Sequence, residues 1–300
     1  MRSPFNKLSV IVLFVLLLSS CSVARYARGP ESRDIENLEG CRGIIQAVEY
    51  PSSEKDLHHR RMVVYLPESY ATDTLRRFPV FYLLHGARGN EITWSDSARV
   101  MHRIDSLRAQ GKAEDFILVM PNMNNYFGDK DYKNGRCLRA MRAFWLQDGE
   151  VERHFMHDVV ARVDSLYRTV PSKSGRAIAG MSNGALQCIY LSAGEPDAFD
   201  YVGLFSPYAY PTFAALGHPD VYGGLWKKLD VQFADPPAFY GIYIGKTDIF
   251  HPHVRNFERR MSQKGYRHQF ILAEGGHEWY NWRDFVIDFC QRISGRRHKC

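Results

Sequence analysis

From Gly43 the chain alternates apolar and polar positions, in Ile44-Ile45-Gln46-Ala47-Val48-Glu49-Tyr50 and then in Arg61-Met62-Val63-Val64-Tyr65-Leu66-Pro67. A period of two is the signature of a strand, and two such runs in succession predict an antiparallel pair. Phe78-Pro79-Val80-Phe81-Tyr82-Leu83-Leu84 is almost continuously apolar, which predicts a strand covered on both faces. A regular order follows. A helix is predicted near 96–110, then the strand Phe116-Ile117-Leu118-Val119-Met120, stopped by Pro121. In the next helix, near 149–168, Val151, Phe155, Val159, Val163 and Leu166 recur at helical spacing. Strand 175–181, helix 183–194, strands 201–205 and 239–245, helix 253–264, strand 268–273 and helix 279–293 complete the pattern. Strands alternating with helices predict an α/β fold, a mostly parallel central sheet with helices on both faces. No internal repeat or low-complexity linker breaks residues 43–295, so they are expected to form one domain.

Two connections exceed what such a fold needs. Residues 122–148 hold Tyr126, Phe127, Tyr132, Phe144 and Trp145, and residues 206–238 hold Tyr208, Tyr210, Phe213, Tyr222, Trp226 and Phe233. Long loops at the strand ends of open sheets shape binding clefts. Most of these aromatics are expected to cover the sheet edge. Tyr126 and Trp145, together with Trp279, are the candidates for contact with substrate.

The front of the chain has a different pattern. Arg2 and Lys7 precede an apolar run from Leu8 to Leu18 that only Ser9 interrupts, too short to span a bilayer and suited to a secretion signal. Leu18-Ser19-Ser20-Cys21 then resembles a bacterial lipobox. The expectation is a signal peptide over 1–20, lipidation of Cys21, a polar tether over 21–42, and a protein held to the bacterial cell envelope by lipid, on the periplasmic face or the outer-membrane surface. Residues 296–300 read as a solvated basic tail.

Composition narrows the field further. With 45% hydrophobic and 24% charged residues, the chain is neither disordered nor fibrous. Its 13% aromatic content suits a large core, a ring-binding cleft, or both. The net charge of +6 includes five charges at the two ends (Arg2, Lys7, Arg296, Arg297 and Lys299), which leaves +1 for the body. No basic stripe with interleaved aromatics is present, so nucleic acid is not an expected partner. The six cysteines show no C-x-x-C spacing, which argues against a thiolate zinc site; Cys188 and Cys290 fall in apolar helical patterns and read as buried thiols.

The strongest chemical signal is Gly180-Met181-Ser182-Asn183-Gly184, placed between the apolar strand Ala177-Ile178-Ala179 and the helix that starts near 183. This strand–turn–helix setting is that of a nucleophile elbow. A serine hydroxyl needs a base to take its proton. His277, in Glu274-Gly275-Gly276-His277-Glu278-Trp279, sits after the last strand and before the last helix. Asp248 ends the segment that begins with the buried strand at Phe239 and is the expected partner of His277; capping of the helix that follows is its alternative role, and Asp235 and Glu274 are weaker candidates for the acid. Leu83-Leu84-His85-Gly86-Ala87-Arg88-Gly89 follows the third strand. The backbone N–H groups of Ala87 and Asn183 are the expected oxyanion donors, with His85 in a structural role beneath them. Asp248, His251 and His253 form a competing metal-like cluster without a further ligand, so neither metal nor cofactor is expected. His58-His59 and His154/His157 read as surface or helix-face residues.

Taken together, these pieces resemble the esterase D-like branch of the α/β-hydrolases, the Putative esterase family. The resemblance runs through Tyr82-Leu83-Leu84-His85-Gly86 with Trp94, Val119-Met120-Pro121, Asp164-Ser165-Leu166-Tyr167-Arg168, Ala179-Gly180-Met181-Ser182-Asn183-Gly184, Gly245-Lys246-Thr247-Asp248 and Gly276-His277-Glu278-Trp279. Asn183-Gly184-Ala185 departs from the Met-Gly-Gly found in many members, which leaves the backbone donor but alters the nearby pocket. The resemblance implies ester hydrolysis through an acyl-enzyme on Ser182, without a cofactor. Among the family's substrates, feruloyl or acetyl esters on plant polysaccharide fit an envelope-facing enzyme best. A siderophore esterase, an acyltransferase, and a non-catalytic glycan-binding lipoprotein are the alternatives.

Overall fold

Every apolar run predicted as a strand is one. The computed structural model describes residues 40–54, 59–87, 89–123, 149–210 and 212–297. Its strands are β1 (Ile44–Pro51), β2 (His59–Leu66), β3 (Val80–Leu84), β4 (Ile117–Pro121), β5 (Arg176–Met181), β6 (Tyr201–Phe205), β7 (Phe239–Gly245) and β8 (Gln269–Ala273). They form one sheet in the order β1-β2-β4-β3-β5-β6-β7-β8. β1 pairs antiparallel with β2, Ile44 facing Leu66, and β2 pairs antiparallel with β4. All remaining pairs are parallel.

The continuous apolar runs explain the layers. In β3, Val80, Tyr82 and Leu84 point into one core while Phe81 and Leu83 point into the other. A helix α5 (Asn183–Gly194) fills the first core with Ala185, Leu186 and Ile189. The second core is filled by Val100, Met101 and Ile104 and by Trp282, Phe285, Phe289 and Ile293 of the last helix. Both faces of the sheet are therefore covered, as a parallel sheet requires.

Several elements depart from the sequence expectation, each for a local reason. The helix expected near 96–110 is two, α1 (Thr93–Ala98) and α2 (Val100–Ala109), because Arg99 adopts a left-handed backbone, φ 49°, that closes the first helix through its N–H. The helix expected over 149–168 is α3 (Glu150–His154) and α4 (Ala161–Leu166), joined by a π-helical stretch, Phe155–Val160, whose wider turn keeps Val151, Phe155, Val159 and Val163 buried but leaves Leu166 exposed. The long connection 206–238 carries two short helices, Thr212–Gly217 and Pro219–Tyr222, and then α6 (Leu225–Gln232), all too short to show a periodic signal. Helix α7 (His251–Gln263) starts two residues early, with Pro252 in its first turn, where no N–H is needed. Helix α8 (Trp279–Arg297) runs on through Arg296 and Arg297, so the expected basic tail is partly helical. Among the described residues no helix is long and apolar enough to cross a membrane. The expected signal peptide, Cys21 and the tether up to residue 39 lie outside the described residues.

Candidate active site

Parallel strands end at one edge of the sheet, and the site stands on that edge. β5 ends at Met181, and Ser182 occupies the turn into α5 with φ 53° and ψ −115°, a conformation costly for any residue with a side chain. The Ser182 N–H donates to the Phe205 carbonyl at 2.8 Å, and its own carbonyl accepts from Leu186 N–H at 3.1 Å, which ties the turn to β6 and to the helix. The flanking glycines are sterically required: a Cβ on Gly184 would lie 2.4 Å from the His85 carbonyl oxygen, and one on Gly180 would lie 2.7 Å from the backbone of Gly184. Side chains there would push α5 off the strand end.

His277 stands in the loop between β8 and α8, with its side chain 19% exposed. Its Nε2 lies 3.0 Å from Ser182 Oγ. Its Nδ1 lies 3.0 Å from Asp248 Oδ2 and 3.1 Å from Oδ1. Asp248 follows β7 and its side chain is fully buried. Burial opposes its ionisation. The hydrogen bond and charge of His277, the Phe250 N–H at 2.8 Å and the Ser206 hydroxyl outweigh that penalty and hold its pKa below the usual carboxylate value. The alternative role in capping is not met: α7 starts without a side-chain cap, and Asp248 accepts the Phe250 N–H just ahead of the helix while facing His277. The imidazole is also clamped edge-on by two rings, Phe250 at 4.9 Å and Trp282 at 4.9 Å.

The loop after β3 that carries Ala87 is held from below by His85. The Met123 N–H donates to His85 Nε2 at 2.8 Å, so Nε2 is the acceptor and Nδ1 carries the proton it gives to the Gly86 carbonyl, also at 2.8 Å. Burial pushes the His85 pKa down to about 4, against the favourable bond to Gly86, and keeps the ring neutral. The Gly86 carbonyl also accepts from Gly89 N–H at 3.0 Å. In a trans peptide the next N–H points opposite to the carbonyl. Fixing the Gly86 oxygen therefore aims the Ala87 N–H away from His85. The Asn183 N–H opens α5, where the helix dipole favours negative charge.

The structure thus brings Ser182, His277 and Asp248 together. It commits the other acids elsewhere: Asp235 pairs with Lys173 at 2.6 Å, and Glu274 pairs with Lys246. His253 is exposed and its ring lies 6.0 Å from that of Tyr208. Among the described residues no group of three metal-ligating side chains is present. Trp279 is half-buried, edge-on to Trp94 at 5.5 Å and to Trp282 at 5.3 Å. Tyr126 and Trp145 lie outside the described residues. Cys188 and Cys290 are buried free thiols, as expected. Sequence reasoning missed Ser206, Phe250 and Trp282. Ser206 directly follows a buried strand, as Ser182 does, and that placement was the available signal.

Comparisons with known proteins agree with this architecture. The family described as "Putative esterase" matches residues 54–242. An endo-1,4-beta-xylanase/feruloyl esterase from Xylanibacter ruminicola is 28% identical over 235 residues, 77% of this chain, and this chain spans 28% of that protein's length. A ferulic acid esterase of known structure superposes with a TM-score of 0.68 at 22% identity, covering 84% of this chain and 98% of its own. The CE1 ferulic acid esterase of the anaerobic fungus Anaeromyces mucronatus, solved in complex with ferulic acid, gives a TM-score of 0.65 at 18% identity, covering 91% and 96%. These structural likenesses establish an α/β-hydrolase fold. With the match spanning more than half its length, the chain belongs to the Putative esterase family.

Proposed function

We propose that this protein is a serine carboxylesterase that removes feruloyl or acetyl groups from plant polysaccharide or oligosaccharide, and that Cys21 anchors it by lipid in a bacterial cell envelope. One observation carries the catalytic reading: His277 spans Ser182 and Asp248 through its two nitrogens, at 3.0 Å each. His277 takes the serine proton as Oγ attacks the ester carbonyl. Asp248 holds the imidazole in the required tautomer and stabilises the imidazolium. The N–H groups of Ala87 and Asn183 receive the oxyanion. His277 then protonates the leaving alkoxide. A water activated by the same imidazole releases the acid and restores Ser182. These steps use only the protein's own groups and water. The preference for feruloyl esters draws on the relatives, which carry that activity in their names.

Hydrolysis of 4-nitrophenyl acetate and methyl ferulate, by the wild type and by Ser182→Ala, tests the reading. Turnover in the wild type and only background in the variant is the expected result. Equal background rates from both would remove the esterase reading and favour a glycan-binding role. Transfer of the acyl group to an added sugar, in preference to water, would replace the hydrolase with an acyltransferase. For the anchor, Cys21→Ala is expected to move the protein from the membrane to the soluble fraction.

A further inference from the structure

Ser182 is not the only strained serine at this edge of the sheet. Ser206, the residue after β6, has φ 53°, the same left-handed value, and is fully buried. Among the described residues only Arg99 joins these two as a positive-φ residue other than glycine, and Arg99 closes a helix. Ser206 closes no helix. Its N–H donates to the Tyr243 carbonyl at 2.8 Å, which fixes it between β6 and β7. A glycine would adopt this backbone without cost. The serine is therefore explained by its side chain.

That side chain has a constrained assignment. Trp282 Nε1 lies 3.2 Å from Ser206 Oγ. An indole N–H is a donor only, so Oγ is the acceptor there and its single proton is left for another partner. The Asp248 carboxylate faces this hydroxyl and draws stabilisation of its charged form from it. The buried hydroxyl thus holds the indole that packs against the His277 ring at 4.9 Å, 87° to its plane. We infer that Ser206 is a positioning residue of this site: its hydroxyl fixes the Trp282 indole, and through it the orientation of the His277 imidazole toward Ser182. The inference rests on the reading of Ser182, His277 and Asp248 as a catalytic triad.

Ser206→Ala and Ser206→Gly separate the hydroxyl from the backbone. Both remove Oγ, but only glycine is free of the positive-φ penalty. The two variants are compared with the wild type and Ser182→Ala by kcat and KM on 4-nitrophenyl acetate, by labelling rate with a fluorophosphonate, and by thermal midpoint. Each Ser206 variant is expected to lose roughly 2- to 10-fold in kcat and in labelling rate, the span for losing one hydrogen bond between neutral groups, with KM unchanged. Ser206→Gly is expected to melt at or above the temperature of Ser206→Ala while remaining as slow. A Ser206→Gly protein with wild-type kcat would overturn the inference, because strain rather than the hydroxyl would then be the cause. So would a kcat loss that tracks the loss of thermal stability across the two variants. A wild type no faster than Ser182→Ala would overturn the esterase reading and this inference with it. A fast wild type with undiminished Ser206 variants would overturn this inference alone.

Discussion

Two clusters of serine, histidine and aspartate among the described residues are wired differently. In one, His277 offers Nε2 to Ser182 and Nδ1 to Asp248, so the imidazole stands between hydroxyl and carboxylate. In the other, Ser53 donates directly to Asp158 Oδ1 at 2.5 Å, and its N–H donates to Oδ2 at 2.7 Å. His157 meets both Ser53 Oγ, at 3.2 Å, and Asp158, at 2.8 Å, with the same Nδ1, and its side chain is 82% exposed. The carboxylate there already holds the serine proton, and no second imidazole nitrogen links the pair. The Ser53 cluster ties the end of β1 to the π-helical stretch. The order of the partners, more than their identity, separates an arrangement that can pass a serine proton to an imidazole from a structural clasp.

The sharpest way to break the contrast is to change both acids. Asp248→Asn is expected to lower kcat by about 10⁴, as an amide would favour the wrong imidazole tautomer. Asp158→Asn is expected to leave kcat within twofold and to cost about 1–3 kcal/mol of stability through weakened buried hydrogen bonds. Parallel kinetics and urea melts read both; a slow Asp158→Asn of normal stability would mean that the second cluster does more than clasp.

A smaller effect concerns His85. Its folded pKa of about 4 lies below the ordinary value of 6.5, so the native state disfavours the proton. The unfolded chain binds more protons between these values, and stability is full above about pH 6.5 and falls as the pH drops toward 4, by about 3 kcal/mol at most. Urea melts from pH 7 to pH 4 are expected to show this loss, and His85→Gln is expected to flatten the slope. An equal slope in the variant would assign the acid sensitivity to other groups. The smallest effect is that of His157→Ala. An exposed imidazole on the clasp should shift stability by no more than about 0.5 kcal/mol and leave turnover unchanged.

The convergence of Ser182, His277 and Asp248 was legible because each follows an apolar run that reads as a strand. Ser182 comes after Ala177-Ile178-Ala179, Asp248 after the run from Phe239, and His277 after the last strand. Parallel topology then brings those ends to one edge. His85 was legible as a support for the same reason, but its bond to Met123 joins residues 38 apart and carries no local pattern. Ser206 could be placed after a buried strand, but nothing in Phe205-Ser206-Pro207 records its positive φ or its bond to Trp282. Arg99 broke a well-patterned helix for a similar reason, since periodicity does not register a left-handed backbone.

The separation of 95 residues between Ser182 and His277 has a consequence in time. The elbow and its helix are synthesised first, and the base emerges later. At a synthesis rate of roughly 5–20 residues per second, the nucleophile waits about 5–20 s on the ribosome before its histidine exists. Throughout that interval the emerging chain has Ser182 without His277. In the function proposed above, hydrolysis switches on only when the C-terminal segment from β7 through α8 has docked, which makes turnover a late reporter of the completed fold.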